Sequence, residues 1–132
     1  RRDVKEKGFT LSIARGGERI LQSNSPGISV LVSAIDEDRF RFKRASVADK
    51  ILGRAAAMLF VYSEISCIYA SVASQDALAI LKRFDIPFEC KRIVKRIMNR
   101  NKSSICPFEK LVLEVDTPEE AFERLKACKV RT

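Results

Sequence analysis

The chain has 132 residues, of which 46% are hydrophobic and 32% charged, with a net charge of +8 and no histidine. That length encloses one core rather than two, and the composition excludes a disordered chain. No apolar run approaches the roughly 18 residues of a membrane helix, and Cys67, Cys90, Cys106 and Cys128 are spaced too irregularly for a secreted disulfide framework, so a cytoplasmic protein without membrane contact is expected.

Residues 1–8 are mainly charged and read as a solvated arm before a single domain over 9–132. Phe9, Leu11 and Ile13 alternate, Arg15-Gly16-Gly17-Glu18 supplies a turn, and Arg19 to Gln22 returns, which predicts a hairpin. Ile28, Leu31, Val32 and Ile35 have helical spacing and end at Asp36-Glu37-Asp38; acids at that end oppose the helix dipole and call for fraying or a basic neighbour. Phe40 to Val47 reads as a strand. The run from Lys50 to Tyr62, apolar nearly all round, reads as a buried helix capped by Asp49. Cys67 to Ala73 fits a central strand, Ser74 caps a helix with Ala77, Leu78, Leu81 and Phe84 on one stripe, and a short strand follows near Phe88. Strand and helix alternating in this way predict a partly parallel sheet with right-handed crossovers. Ile93, Val94, Ile97 and Met98 predict a short helix over Lys91 to Asn99. Pro107 opens another short helix, and Thr117-Pro118-Glu119-Glu120 caps a terminal one with Ala121, Phe122, Leu125 and Cys128 on its buried stripe.

Val47-Ala48-Asp49-Lys50, Gly53-Arg54-Ala55-Ala56-Ala57, Ile97-Met98-Asn99-Arg100 and Cys106-Pro107-Phe108-Glu109-Lys110-Leu111-Val112-Leu113 resemble the signature stretches of an uncharacterised prokaryotic family with a cytidine-deaminase-like fold. The resemblance implies a three-layer α/β/α sandwich around a mixed five-stranded sheet. In deaminases of that fold a His-Ala-Glu type triplet opens the buried helix and Pro-Cys-x-x-Cys opens the next, giving three zinc ligands and a proton-shuttling glutamate. The corresponding places here read Ala48-Asp49-Lys50 and Ala73-Ser74-Gln75-Asp76-Ala77. Zinc-dependent deamination is therefore not expected, and neither a metal nor another cofactor is.

The candidate site is the corner where these two helices begin, since helix starts offer free N–H groups to anions. Asp49, Lys50, Gly53, Arg54, Ser74 and Gln75 are expected to converge there, with Lys50 and Arg54 on one helix face holding a phosphate and Asp49 bonding a ribose hydroxyl. The competing reading makes Asp49 and Ser74 plain caps and Gly53 a packing residue. A metal-free transferase or hydrolase is the alternative, with Asp49, Arg54, Cys106 or Glu109 as its chemical groups and Asn99 and Arg100 nearby; Cys106 before Pro107 stands where a helix start favours a thiolate, but no histidine supplies a base. Lys91, Arg92, Lys95, Arg96, Arg100 and Lys102 make segment 91–102 strongly basic, either a solvated face or a nucleic-acid contact that lacks aromatics to stack on bases. A nucleotide-like or phosphorylated small molecule is thus the expected partner, nucleic acid the second, and nothing in the sequence excludes a homo-oligomer.

Overall fold

The computed structural model of the chain describes residues 10–23, 27–97 and 107–131; the expected N-terminal arm lies outside them. Leu11–Arg15 (β1) and Glu18–Ser23 (β2) form the hairpin. Arg15 pairs with Glu18, leaving Gly16 and Gly17 as a two-residue turn at φ 59° and 81°, left-handed values that a Cβ would penalise and whose twist suits the two strands. There follow α1 (Gly27–Glu37), β3 (Ser46–Leu52), α2 (Arg54–Tyr62), β4 (Cys67–Ser74), α3 (Gln75–Arg83), β5 (Phe88–Val94), α4 (Pro107–Leu111) and α5 (Pro118–Arg131). No helix among the described residues is long and apolar enough to cross a membrane.

The sheet is mixed and five-stranded, in the order β2-β1-β3-β4-β5. β1 is antiparallel to both β2 and β3, whereas β3, β4 and β5 are parallel. β2 therefore points the same way as β3, and the three crossovers through α1, α2 and α3 all step in one direction across the sheet. Right-handed connections put those helices on one face, and the packing of α2 against both α1 and α3 follows from it. α5 lies across α1 and α2.

Leu11 and Ile13 of β1, Val47 of β3 and Ile68 and Ala70 of β4 belong to one continuous core with Leu31 of α1, Ala55 to Phe60 of α2, Leu81 of α3 and Leu125 of α5. The position of α2 between the sheet, α1, α3 and α5 is why its sequence is apolar on every side. The acids ending α1 find the basic neighbour they call for: Lys126 Nζ of α5 lies 2.8 Å from Asp36 Oδ1, and that hydrogen bond raises the lysine pKa.

Three element assignments change. The predicted strand over Phe40 to Val47 is a chain reversal at 39–44 with the strand starting at Ser46. Arg44 adopts φ 63° there, and Arg15 Nη1 holds the carbonyls of Arg41 and Lys43 at 3.2 and 3.0 Å, while Phe42 is fully buried and Phe40 is 44% exposed. The helix expected from Lys50 begins at Arg54, because residues 46–49 pair on both sides and the strand continues along β4 to Leu52: Asp49 stands between Leu11 and Ala70, and Lys50 N donates to Thr10 O at 2.8 Å. A fully buried strand and a buried helix have the same apolar pattern, and pairing decides between them. The helix expected over Lys91 to Asn99 is strand through Val94, paired with β4; Asn99 lies outside the described residues.

Phe60→Ala, at a residue with no exposed surface, is expected to cost about 3–5 kcal/mol in urea unfolding, whereas Phe40→Ala is expected to cost about 1 kcal/mol or less.

Candidate functional site

β3 ends at Leu52, Gly53 continues in an extended conformation at φ −105° and ψ −177°, and α2 starts at Arg54. The first N–H groups of a helix have no partner inside it. Here Arg54 N donates to Glu109 Oε1 and Ala55 N to Glu109 Oε2, each at 2.7 Å. The carboxylate arrives from α4 and rests directly over Gly53, where a Cβ would come 2.3 Å from Glu109 Oε1. The absence of a side chain at Gly53 thus makes the space that this carboxylate fills.

The Arg54 side chain runs the opposite way. Its Nε donates to Val112 O at 2.9 Å and its Nη2 to Val115 O at 2.5 Å, the chain leaving α4 toward α5; Asp116, 4.0 Å away, is 81% exposed and its attraction is mostly screened. A carboxylate of α4 therefore caps α2, while a guanidinium of α2 holds carbonyls beyond α4. Glu109 is 8% exposed. Burial pushes its pKa up, the Ala55 and Arg54 N–H groups pull it down, Asp76 adds to the rise and Arg54 opposes it.

The second helix start lies beside the first because the parallel strands β3 and β4 end at the same edge of the sheet. Ser74, buried, accepts from Ala77 N at 3.1 Å. Arg54, Ser74, Asp76, Lys95, Arg96 and Glu109 line the cleft between them, whose free volume of ≈ 10 Å³ is that of a single water. Lys95 and Arg96 are exposed at its edge. The larger groove, ≈ 480 Å³ over Ser12, Ala14, Ser46, Ala48 and Tyr69, collects none of the residues expected from sequence.

Gly53, Arg54 and Ser74 lie at this corner, with Arg54 committed to carbonyl oxygens, and Glu109, read from sequence with Cys106 as a separate set, joins them by capping α2. Lys50 is an exposed strand residue and shares no helix face with Arg54. Gln75 is exposed and does not line the cleft. Asn99, Arg100 and Cys106 lie outside the described residues. Sequence reasoning missed Asp76, Lys95 and Arg96 as cleft residues. Asp76, in the first turn after the Ser74 cap, had a local signal; Lys95 and Arg96 reach the cleft only because β5 ends beside the start of α3.

Asp49 is not a cap and does not line the cleft. It sits in β3, on the sheet side shared with its partners Leu11 and Ala70. Burial drives its pKa up to about 8, against the lowering influence of the adjacent Ile51 and Lys50 N–H groups. The helix-opening residues are accordingly Gly53-Arg54-Ala55, not the triplet Ala48-Asp49-Lys50, and none of Gly53, Arg54 and Ala55 is a usual metal ligand. Among the described residues no three His, Cys, Asp or Glu side chains gather as a metal-holding group.

Fold and corner together define a mixed α/β domain with two adjacent helix starts, the first closed by the Glu109 carboxylate and the second capped by Ser74. The chain belongs to the TM1506 family, a domain of unknown function (DUF1893), whose family model matches residues 1–128. The crystal structure of a DUF1893 family protein, TM1506 from Thermotoga maritima, is similar at a TM-score of 0.85 and 28% identity, over 96% of this chain and 85% of that one. No curated protein matches.

Gly53→Ala is expected to displace Glu109 and cost about 1–3 kcal/mol, the range for leaving buried N–H groups unpaired; in a Glu109→Ala background the same change is expected to cost far less, a coupling that a double-mutant cycle in urea measures. For Asp49 the folded pKa of about 8 lies above the ordinary 3.8, so its contribution to stability is fully present below pH 3.8 and is lost as pH rises through 8. Asp49→Asn is therefore expected to gain stability over the parent progressively from acid to pH 8, read from melting temperatures across that range.

Proposed function

We propose that this domain is a metal-free receptor for a nucleotide-like or otherwise phosphorylated small molecule, bound at the corner between the starts of α2 and α3. The observation that carries the reading is the Glu109 carboxylate seated on the Arg54 and Ala55 N–H groups: two converging donors at a nine-residue helix, already holding an anion. A phosphate supplies the same acceptor oxygens with more charge, and exchanging places with it returns to water a carboxylate whose burial raises its pKa. Lys95 and Arg96 line the same cleft, and neither forms an ion pair with another described residue, so both suit the ligand's remaining charge. With Glu109 in place the cleft admits only water, so ligand entry accompanies an outward swing of that side chain. Free thiols at Cys67, Cys90 and Cys128 fit a cytoplasmic setting.

The alternative of a metal-free transferase or hydrolase gains nothing from this geometry, since Asp49 stands apart from the cleft and the Arg54 guanidinium is already bonded to Val112 and Val115.

Thermal shifts with inorganic phosphate, nucleoside phosphates and dinucleotides test the receptor. At saturating concentrations a true ligand is expected to raise Tm by roughly 2 °C or more, Lys95→Ala with Arg96→Ala to diminish that rise, and Glu109→Ala, which bares both N–H groups, to increase the response to inorganic phosphate. No stabilisation of either the parent or Glu109→Ala by any compound would remove the reading.

A further inference from the structure

β5 ends the sheet and, among the described residues, pairs only with β4. A strand at that position has outward N–H and C=O groups left for another chain. Lys91, Arg92, Ile93, Lys95 and Arg96 are all exposed, and Ile93, at 58%, is the most exposed large apolar residue among the described residues. No acid falls between Lys91 and Ile97, and the four cations there form no ion pair with another described residue. Because this stretch is strand through Val94 rather than helix, its side chains alternate between the two faces of the sheet, Lys91 to one and Arg92 to the other.

Three occupants compete for such an edge, and charge and shape separate them. A second copy joined β5 to β5 would set two rows of cations against each other, which is how natural sheets discourage that pairing. A nucleic-acid backbone needs cations gathered on one surface with aromatic platforms for its bases, whereas here the cations divide between faces and the one aromatic residue of the strand, Phe88, is packed against the core. An extended acidic peptide meets each feature: its main chain completes the ladder, its carboxylates reach cations on both faces, and an apolar residue lies beside Ile93.

We propose that the outer edge of β5 recruits an extended acidic segment of a partner protein by strand addition, with Lys91 and Arg92 reading its carboxylates and Ile93 packing against it. This surface is independent of the phosphate reading at the corner, because Lys91, Arg92 and Ile93 do not line that cleft.

Fluorescence anisotropy with the whole chain decides it, using a labelled peptide of about eight residues with glutamates on both strand faces and one central valine, the same peptide N-methylated at alternate positions, and an oligodeoxythymidine of matching charge. The unmodified peptide is expected to bind, with affinity reduced about tenfold or more by N-methylation and by Lys91→Glu with Arg92→Glu. That double variant is expected to keep the thermal response of the parent to inorganic phosphate, which shows it folded and separates the two sites; should the parent show no such response, an unchanged melting temperature serves as the folding check. The proposal is overturned by absent peptide binding, by equal binding of the N-methylated peptide, by the oligonucleotide binding as tightly, or by a sedimenting dimer that the double variant disperses.

Discussion

The buried bond from Glu109 to the first two N–H groups of α2 is the constraint around which the rest of the corner is arranged. A helix start beneath a packed layer has donors that water does not reach, and each one left unpaired is costly. One carboxylate satisfies both Arg54 N and Ala55 N, and in doing so it ties α4, a helix of only five residues, to the centre of the domain. The Arg54 guanidinium closes the return connection to Val112 and Val115. A short helix is thereby anchored through its own Glu109, while the chain leaving it is held by the Arg54 guanidinium of α2.

The direction of the sheet explains why that anchor sits where a ligand would. Parallel strands that deliver their helices to one face bring successive helix starts to a common edge, and this is where α/β sheets place their binding crevices. α2 and α3 start at that edge, and β5 ends beside it. A domain built this way gathers helix-start N–H donors at one edge by virtue of its connectivity, before any particular side chain is chosen, and that edge is the candidate site. In this chain an internal carboxylate occupies the site and narrows it to the volume of a water. The exposed edge of β5, with its row of cations, is a second consequence of the same strand order.

Much of the fold was legible because local chemistry and tertiary structure agree. The Gly16-Gly17 hairpin, the Ser74 cap and the Pro118 helix start all depend on dihedral preferences or hydrogen bonds within a few residues. Disagreement arose where pairing to a distant strand decides. Residues 46–49 have partners on both sides and 51–52 on one, and the apolar run into α2 gave no mark of where strand passes to helix. Lys91 to Val94 has the spacing of a helix face but is a strand because β4 stands beside it. The site was legible to the extent that it rests on helix starts: Gly53, Arg54, Ser74 and Glu109 were named, but the bond between Glu109 and Arg54 N spans 55 residues and has no local signature.

By itself the sequence determined an α/β chain with a buried central helix, a glycine hairpin, capped helices and no histidine, because those properties reside in residue types and short-range spacing. Only the tertiary structure decided that Asp49 is buried in a strand, that Glu109 closes the start of α2 over Gly53, and that Lys95 and Arg96 reach the same cleft. The physical reason is that a carboxylate takes its role from the donors and the dielectric around it, and folding assembles both from segments far apart in the chain.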